Sequence, residues 1–216
     1  MSWKTFLFPP RCILCRDYIQ IQHPDGLCDG CRRQMQVERE LHLHRSLSYV
    51  WVAAAAEYGG AMRSALLRVK SYAVRASAVP MGDLLYQAYR EQLSEFQPDL
   101  VTYVPSSARR NRERGFTLSE EMAKVVAQRL GVPCRPTLHH ALFAAKQAEL
   151  KGSKRKQNAE KSFALLPKTD LSKQKVLLVD DIIASGTTIN FCAKLLDAAG
   201  AAEIVGLVLA KSGQDR

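Results

Sequence analysis

Apolar residues recur along this chain in two alternating rhythms. Residues 47–55 form a short, nearly continuous apolar run, and residues 61–70 then place Met62, Ala65, Leu66 and Val69 three and four apart. The first pattern predicts a strand and the second an amphipathic helix. Met81, Leu84, Leu85, Ala88, Tyr89 and Leu93 repeat the helical spacing over a longer stretch. Residues 100–104 are again apolar and stop at Pro105, which predicts a buried strand. A helix over 118–130 follows, with Thr117 and Glu120 spaced as a capping box and Gly131 as its stop. The last unit predicts a strand over 175–179, a loop over 182–186, a helix over 187–199 and a strand over 203–210. Ile189, Cys192, Leu195, Leu196 and Ala199 give that helix one inward stripe. Strand and helix in alternation imply an α/β domain over residues 46–216, with a mostly parallel sheet flanked by helices.

The first 45 residues break this rhythm. Residues 12–31 are poor in apolar side chains and hold two C-x-x-C pairs, Cys12 with Cys15 and Cys28 with Cys31. Two residues between thiolates let both sulfurs reach one ion at about 2.3 Å, and four thiolates close a tetrahedral structural zinc site. Metal binding then supplies the folding energy that so short a segment cannot draw from a core, about 10–16 kcal/mol in such sites. Disulfides and an iron–sulfur centre compete for the same spacing. The polar stretch 34–45 reads as a linker or an exposed helix, so residues 1–45 are expected to form a zinc ribbon and its linker. Cys192 lies on an inward helical stripe and reads as packing, while Cys134 carries no partner pattern.

Composition narrows the function classes. A hydrophobic content of 47% and a charged content of 24% are those of an ordinary folded protein, which excludes a mainly disordered chain. A net charge of +10 favours polyanionic partners: phosphates, nucleic acid or an acidic membrane surface. That charge is gathered in two places, Arg109, Arg110, Arg112 and Arg114 in one, and Lys151, Lys154, Arg155, Lys156 and Lys161 in the other. No apolar run approaches the about 20 residues of a membrane span, and the first residues lack the apolar core of a signal peptide. A cytoplasmic setting is expected, and its reducing chemistry favours metal binding at close-set cysteines.

Residues 176–188 read VLLVDDIIASGTT. Asp180 and Asp181 stand at the carboxyl end of an apolar strand, where open α/β sheets bind ligands, and can accept bonds from vicinal hydroxyls. Ala184, Ser185, Gly186, Thr187 and Thr188 are small, so their backbone N–H groups can approach an anion, and they open a helix whose N-terminus favours phosphate. A ligand with ribose hydroxyls beside a 5′-phosphate matches both halves. An acidic pair here is also met as a solvated turn or as a Mg²⁺ site. The full order of residues is what resembles the signature for phosphoribosyl pyrophosphate (PRPP) in type I phosphoribosyltransferases. No Walker A pattern is present.

Two more segments extend the resemblance. VPSSARRNRERGFTLSEEMA, residues 104–123, is similar to the ComF-family stretch in which a proline-led loop precedes RRxRERGFN and a helix. Gln147, Leu150, Arg155, Asn158 and Phe163 fall at that family's downstream spacing. With the tetracysteine and the acidic loop, four segments occur in order over nearly the whole chain, and the chain is identified as a member of the ComF family. Thr117 stands where the family usually has Asn, and ASG replaces the commoner TTG. The resemblance implies a type I phosphoribosyltransferase fold, with Asp180 and Asp181 on the ribose hydroxyls and residues 184–188 on the 5′-phosphate. It further implies that Ser106, Ser107, Ala108 and Arg109 receive pyrophosphate, and that Arg114 and Lys70 act near the reacting centre.

Two functions follow from these segments. One is a glycosyltransferase-class enzyme that uses PRPP with Mg²⁺ and an acceptor the sequence does not name. The other is a competence factor on the same fold that binds single-stranded DNA, the Lys151–Lys161 charges tracking phosphates. The resemblance points to natural transformation and to helicase-like competence proteins as partners. The two readings use different surfaces and are compatible.

Overall fold

The apolar runs form the strands and the spaced apolar positions form the helices that cover them. The computed structural model describes residues 9–12, 14–19, 27–31, 44–46, 50–72, 75–141 and 162–213. In chain order these hold β1 (His44–Ser46), β2 (Val50–Glu57), α1 (Gly60–Tyr72), a 3₁₀ turn (Arg75–Ser77), α2 (Ala78–Gln92) and β3 (Leu100–Tyr103). There follow α3 (Ala108–Arg114), α4 (Leu118–Leu130), β4 (Leu138–His140) and β5 (Phe163–Leu165). The last βαβ unit is β6 (Lys175–Ile183), α5 (Thr187–Ala198) and β7 (Glu203–Lys211).

The main sheet has the order β1-β2-β7-β6-β3. Its β2–β7, β7–β6 and β6–β3 pairs are parallel, and β1 runs antiparallel along the β2 edge. At the other edge, Val101 of β3 bonds the chain at 133–135, donating to the Pro133 carbonyl at 3.0 Å and accepting from the Arg135 N–H at 3.2 Å. Both faces are covered. Leu177 and Val179 of β6 join a core with Leu66 of α1, Leu85 of α2 and Met122 of α4. Val176 and Leu178 point to the other face, into a core with Ile189, Cys192 and Leu196 of α5. Two-sided burial is the physical reason β6 reads as an unbroken apolar run. Two glycines mark where layers press closest. A Cβ on Gly206 of β7 would lie 2.8 Å from Ile189 Cδ1, and one on Gly82 of α2 would lie 2.6 Å from Val125 Cβ.

The structure departs from expectation in four places. Strand β6 continues through Asp180 and Asp181 to Ile183, because β7 offers Val208 and Ala210 as further ladder partners. The expected Thr117 capping box does not form; its Oγ1 donates instead to Asn111 Oδ1 at 2.8 Å. The arginine-rich stretch is a short helix, α3, which Ser107 caps through its Oγ and Gly115 ends at φ +73°. His44 and Arg45, read as the end of a linker, begin the sheet. Among the described residues no helix is long and apolar enough to cross a membrane.

Candidate functional site

The carboxyl ends of β3 and β6 border a cleft of about 360 Å³. Asp180 and Asp181 of β6 form its floor. The Asp181 N–H donates to Asp180 Oδ1 at 2.8 Å. Across the floor, Lys70 from the last turn of α1 places Nζ 2.6 Å from Asp181 Oδ2. Both side chains are 23% exposed, so the ion pair is partly desolvated. Burial pushes the Asp180 carboxyl well above the ordinary carboxylate range, and the adjacent Asp181 charge acts in the same direction. The Asp181 N–H and Lys70 oppose that rise without cancelling it. A half-buried acidic pair served by one lysine is thus short of positive charge, an arrangement that favours an incoming cation or hydroxyl donors.

The two flanking walls offer anion-binding groups. Thr188, in the first turn of α5, lines one side. That helix begins at Gly186, in the left-handed region at φ +71°, and no side chain caps it there. The Thr187 N–H donates to Ser185 Oγ at 3.4 Å, and the two hydroxyls meet at 2.9 Å. An uncapped helix start on small residues suits an anion. On the other side the Pro105–Ser106–Ser107 loop and Arg110 of α3 face the same space. Ser119 of α4 holds that loop's root, its Oγ donating to the Val104 carbonyl at 2.8 Å.

A roof closes the cleft from β4 and β5. His140 and Phe163 pair in register there, and their rings meet edge to face at 5.1 Å. Burial lowers the His140 pKa below the usual imidazole range, and the Arg110 charge adds to the effect. The segment between these strands carries Lys151, Lys154, Arg155, Lys156 and Lys161, together with Gln147, Leu150 and Asn158; all lie outside the described residues.

Of the residues singled out from sequence, Asp180, Asp181, Lys70, Ser106, Ser107 and Thr188 come together in this one space. Ala184 and Ser185 are exposed in the turn beside it, and Gly186 and Thr187 complete that turn. Arg109 points elsewhere: it pairs with Glu113 at 2.8 Å and is 84% exposed, while its neighbour Arg110 lines the cleft. Ala108 and Arg114 open and close α3, and their side chains lie outside the described set. Sequence reasoning passed over His140 and Ser119. The one available signal for His140 was its place in a Thr-Leu-His-His run after the helix that ends at Leu130.

The four cysteines form a second centre. Their sulfurs all lie within 4.8 Å of one another, and Cys15 Sγ is 3.6 Å from Cys28 Sγ. Four thiolates on one zinc ion stand about 3.8 Å apart when each bond is about 2.3 Å. The Cys31 N–H donates to Cys28 Sγ at 3.4 Å. Burial alone would raise the Cys12 thiol, but backbone N–H donors at Cys15, Cys28 and Leu14 outweigh it and bring its pKa to about 7. Close sulfurs with N–H donors aimed at them fit a structural zinc. The ribbon is not a loose appendage: Cys12, Leu14, Leu27 and Cys31 are buried in the same core as α1, and Arg68 of α1 donates to the Leu14 carbonyl.

Comparison with known proteins finds a family match at each end of the chain. Residues 114–216 match the phosphoribosyl transferase domain family, and residues 3–42 match the double zinc ribbon domain family. The chain is similar to Competence protein F of Haemophilus influenzae, 27% identical over 218 residues that cover 90% of this chain and 93% of that protein. Among solved structures, it resembles the glutamine PRPP amidotransferase from B. subtilis, with a TM-score of 0.43 and 23% identity over 62% of this chain. This chain covers 26% of that much longer one. It also resembles a purine phosphoribosyltransferase from Pyrococcus horikoshii, with a TM-score of 0.40 and 20% identity over 61% of this chain and 73% of the other.

Proposed function

The chain is ComF-like, with a type I phosphoribosyltransferase fold behind a tetracysteine ribbon, and from that premise we propose that it binds PRPP in the β3–β6 cleft and acts as a phosphoribosyltransferase-type protein in natural competence. The observation that carries this is convergence: α1, the 105–107 loop, α3, β6 and α5 bring a lysine, serines, an arginine, two aspartates and a helix start to one cleft. Asp180 and Asp181 accept from the ribose hydroxyls. The first turn of α5 takes the 5′-phosphate. Ser106, Ser107 and Arg110 take the pyrophosphate, the guanidinium binding phosphate oxygens in pairs. Mg²⁺, carried in with PRPP, supplies charge neutralisation on the leaving group. In transfer, the C1–O bond to pyrophosphate breaks with both electrons leaving on oxygen. An acceptor nitrogen donates its lone pair to C1 and releases a proton. No nucleophilic side chain is required, because positioning and charge do the work.

Calorimetry with PRPP and Mg²⁺ tests the assignment. The double variant Asp180→Asn, Asp181→Asn should lose PRPP binding while its melting curve stays near that of the wild type, relief of the Asp180 burial offsetting loss of the Lys70–Asp181 pair. Unchanged affinity in that variant removes the ribose assignment. A second reading, single-stranded DNA binding, is favoured by the net charge of +10 and by the relative's name. Its ligand would be held by the basic 151–161 segment, so it predicts DNA retention that survives the double variant and falls with added salt.

A further inference from the structure

The contact between Lys70 and Asp181 bears on which ligands this cleft accepts, an inference that rests on the PRPP reading above. Asp181 Oδ2 is one of the oxygens a ribose diol needs, and it already holds the Lys70 ammonium at 2.6 Å. A sugar that brings only hydroxyls and a 5′-phosphate must share Asp181 with that ammonium, and each bond it takes from Oδ2 weakens a partly buried ion pair that it does nothing to replace. A sugar that also carries pyrophosphate behaves differently, because it brings new anionic oxygens toward the Ser106, Ser107 and Arg110 wall of the same cleft. Lysine is suited to such an exchange: its ammonium is a compact charge with rotatable donors on a flexible four-carbon stem. The pivot is anchored, since α1 is tied at Arg68 to the Leu14 carbonyl, and the turn after it is tied by Arg75 to Glu121 at 2.9 and 3.0 Å.

We propose that Lys70 sets the selectivity of the cleft for a pyrophosphate-bearing sugar over the same sugar without pyrophosphate, by trading Asp181 for the ligand's phosphate oxygens. In the empty cleft Lys70 is a placeholder that guards the carboxylates. In the filled cleft it is a phosphate ligand. Its removal therefore has opposite effects on two ligands that differ only in the pyrophosphate, which a uniform electrostatic contribution does not produce.

Calorimetric titration of Lys70→Met and Lys70→Gln with PRPP and with ribose 5-phosphate, each with Mg²⁺, reads this directly. Ribose 5-phosphate should bind about three- to tenfold tighter than to the wild type, and PRPP about tenfold weaker. Lys70→Arg keeps the charge and should keep the wild-type preference within about threefold. Ribose 5-phosphate affinity that is unchanged or reduced in Met and Gln variants, with PRPP binding retained by the wild type, overturns the exchange and leaves the PRPP reading standing. A wild-type protein that binds no PRPP overturns both.

Discussion

The close approach of β7 to α5 at Gly206 gives a stability prediction whose size follows from the coordinates. Gly206 of β7 sits opposite Val52 and Leu178 in the sheet, beneath the first turns of α5. A methyl group there would come within 2.8 Å of Ile189 Cδ1 and 2.9 Å of Val52 Cγ2. Separations of this size are far inside van der Waals contact, so Gly206→Ala must move α5 or β2. Overpacking of one methyl typically costs about 1–3 kcal/mol. Loss of glycine's unfolded-state freedom returns about 0.4–1 kcal/mol. The net cost is about 0–2.6 kcal/mol, or up to about 10 °C in melting temperature for a chain of this size. Ile189→Val deletes the very atom that clashes, and costs about 0.5–1.5 kcal/mol alone. Urea titrations of both single variants and the double variant form a thermodynamic cycle. The double variant should be less destabilised than the sum of the singles by at least about 0.5 kcal/mol. Strict additivity, or a Gly206→Ala protein more stable than the wild type, refutes the steric argument.

Two further predictions follow from the ribbon and the roof. Because Cys12, Leu14, Leu27 and Cys31 share a core with α1, stripping zinc with a chelator should lower a single calorimetric transition, whereas a separate ribbon transition with the main one unmoved would contradict the shared core. His140 has a folded pKa below its unfolded value of about 6.5, so the unfolded chain gains the proton first and stability falls as pH drops through that value. His140→Phe should flatten this slope between about pH 7 and 5 in denaturant titrations, and superimposable slopes would place the proton uptake on other groups.

How much of this was legible in the sequence depends on segment length and on what each segment packs against. Strands β6 and β7 and helices α1, α2, α4 and α5 were readable because each spans enough positions to reveal a period. The acidic pair was readable because it stands within a thirteen-residue order, apolar strand, two carboxylates and then small residues opening a helix, that as a whole matches a ligand signature. Three-residue strands such as β4 and β5 carry no period, and their pairing joins residues far apart in the chain, so the roof and His140 were invisible. The capping box at Thr117 failed for a tertiary reason: Asn111, brought close by the unanticipated helix α3, takes the hydroxyl instead. The same helix explains the arginines. Adjacent residues on a helix point about 100° apart, so Arg110 faces the cleft while Arg109 pairs with Glu113 along the outer face.

The arrangement of the sheet's two margins has a consequence for self-association. A free strand edge is a template on which another chain can polymerise. Here one margin ends in the three-residue β1, too short to seat a long added strand, and at the other the Val101 N–H and carbonyl are already bonded to the 133–135 segment. Among the described residues, Val50–Val52 on one side and Val101 on the other are therefore already occupied. An incoming strand would have to compete with these existing bonds at those positions, so contact between copies there favours the docking of finished surfaces over extension of a common sheet.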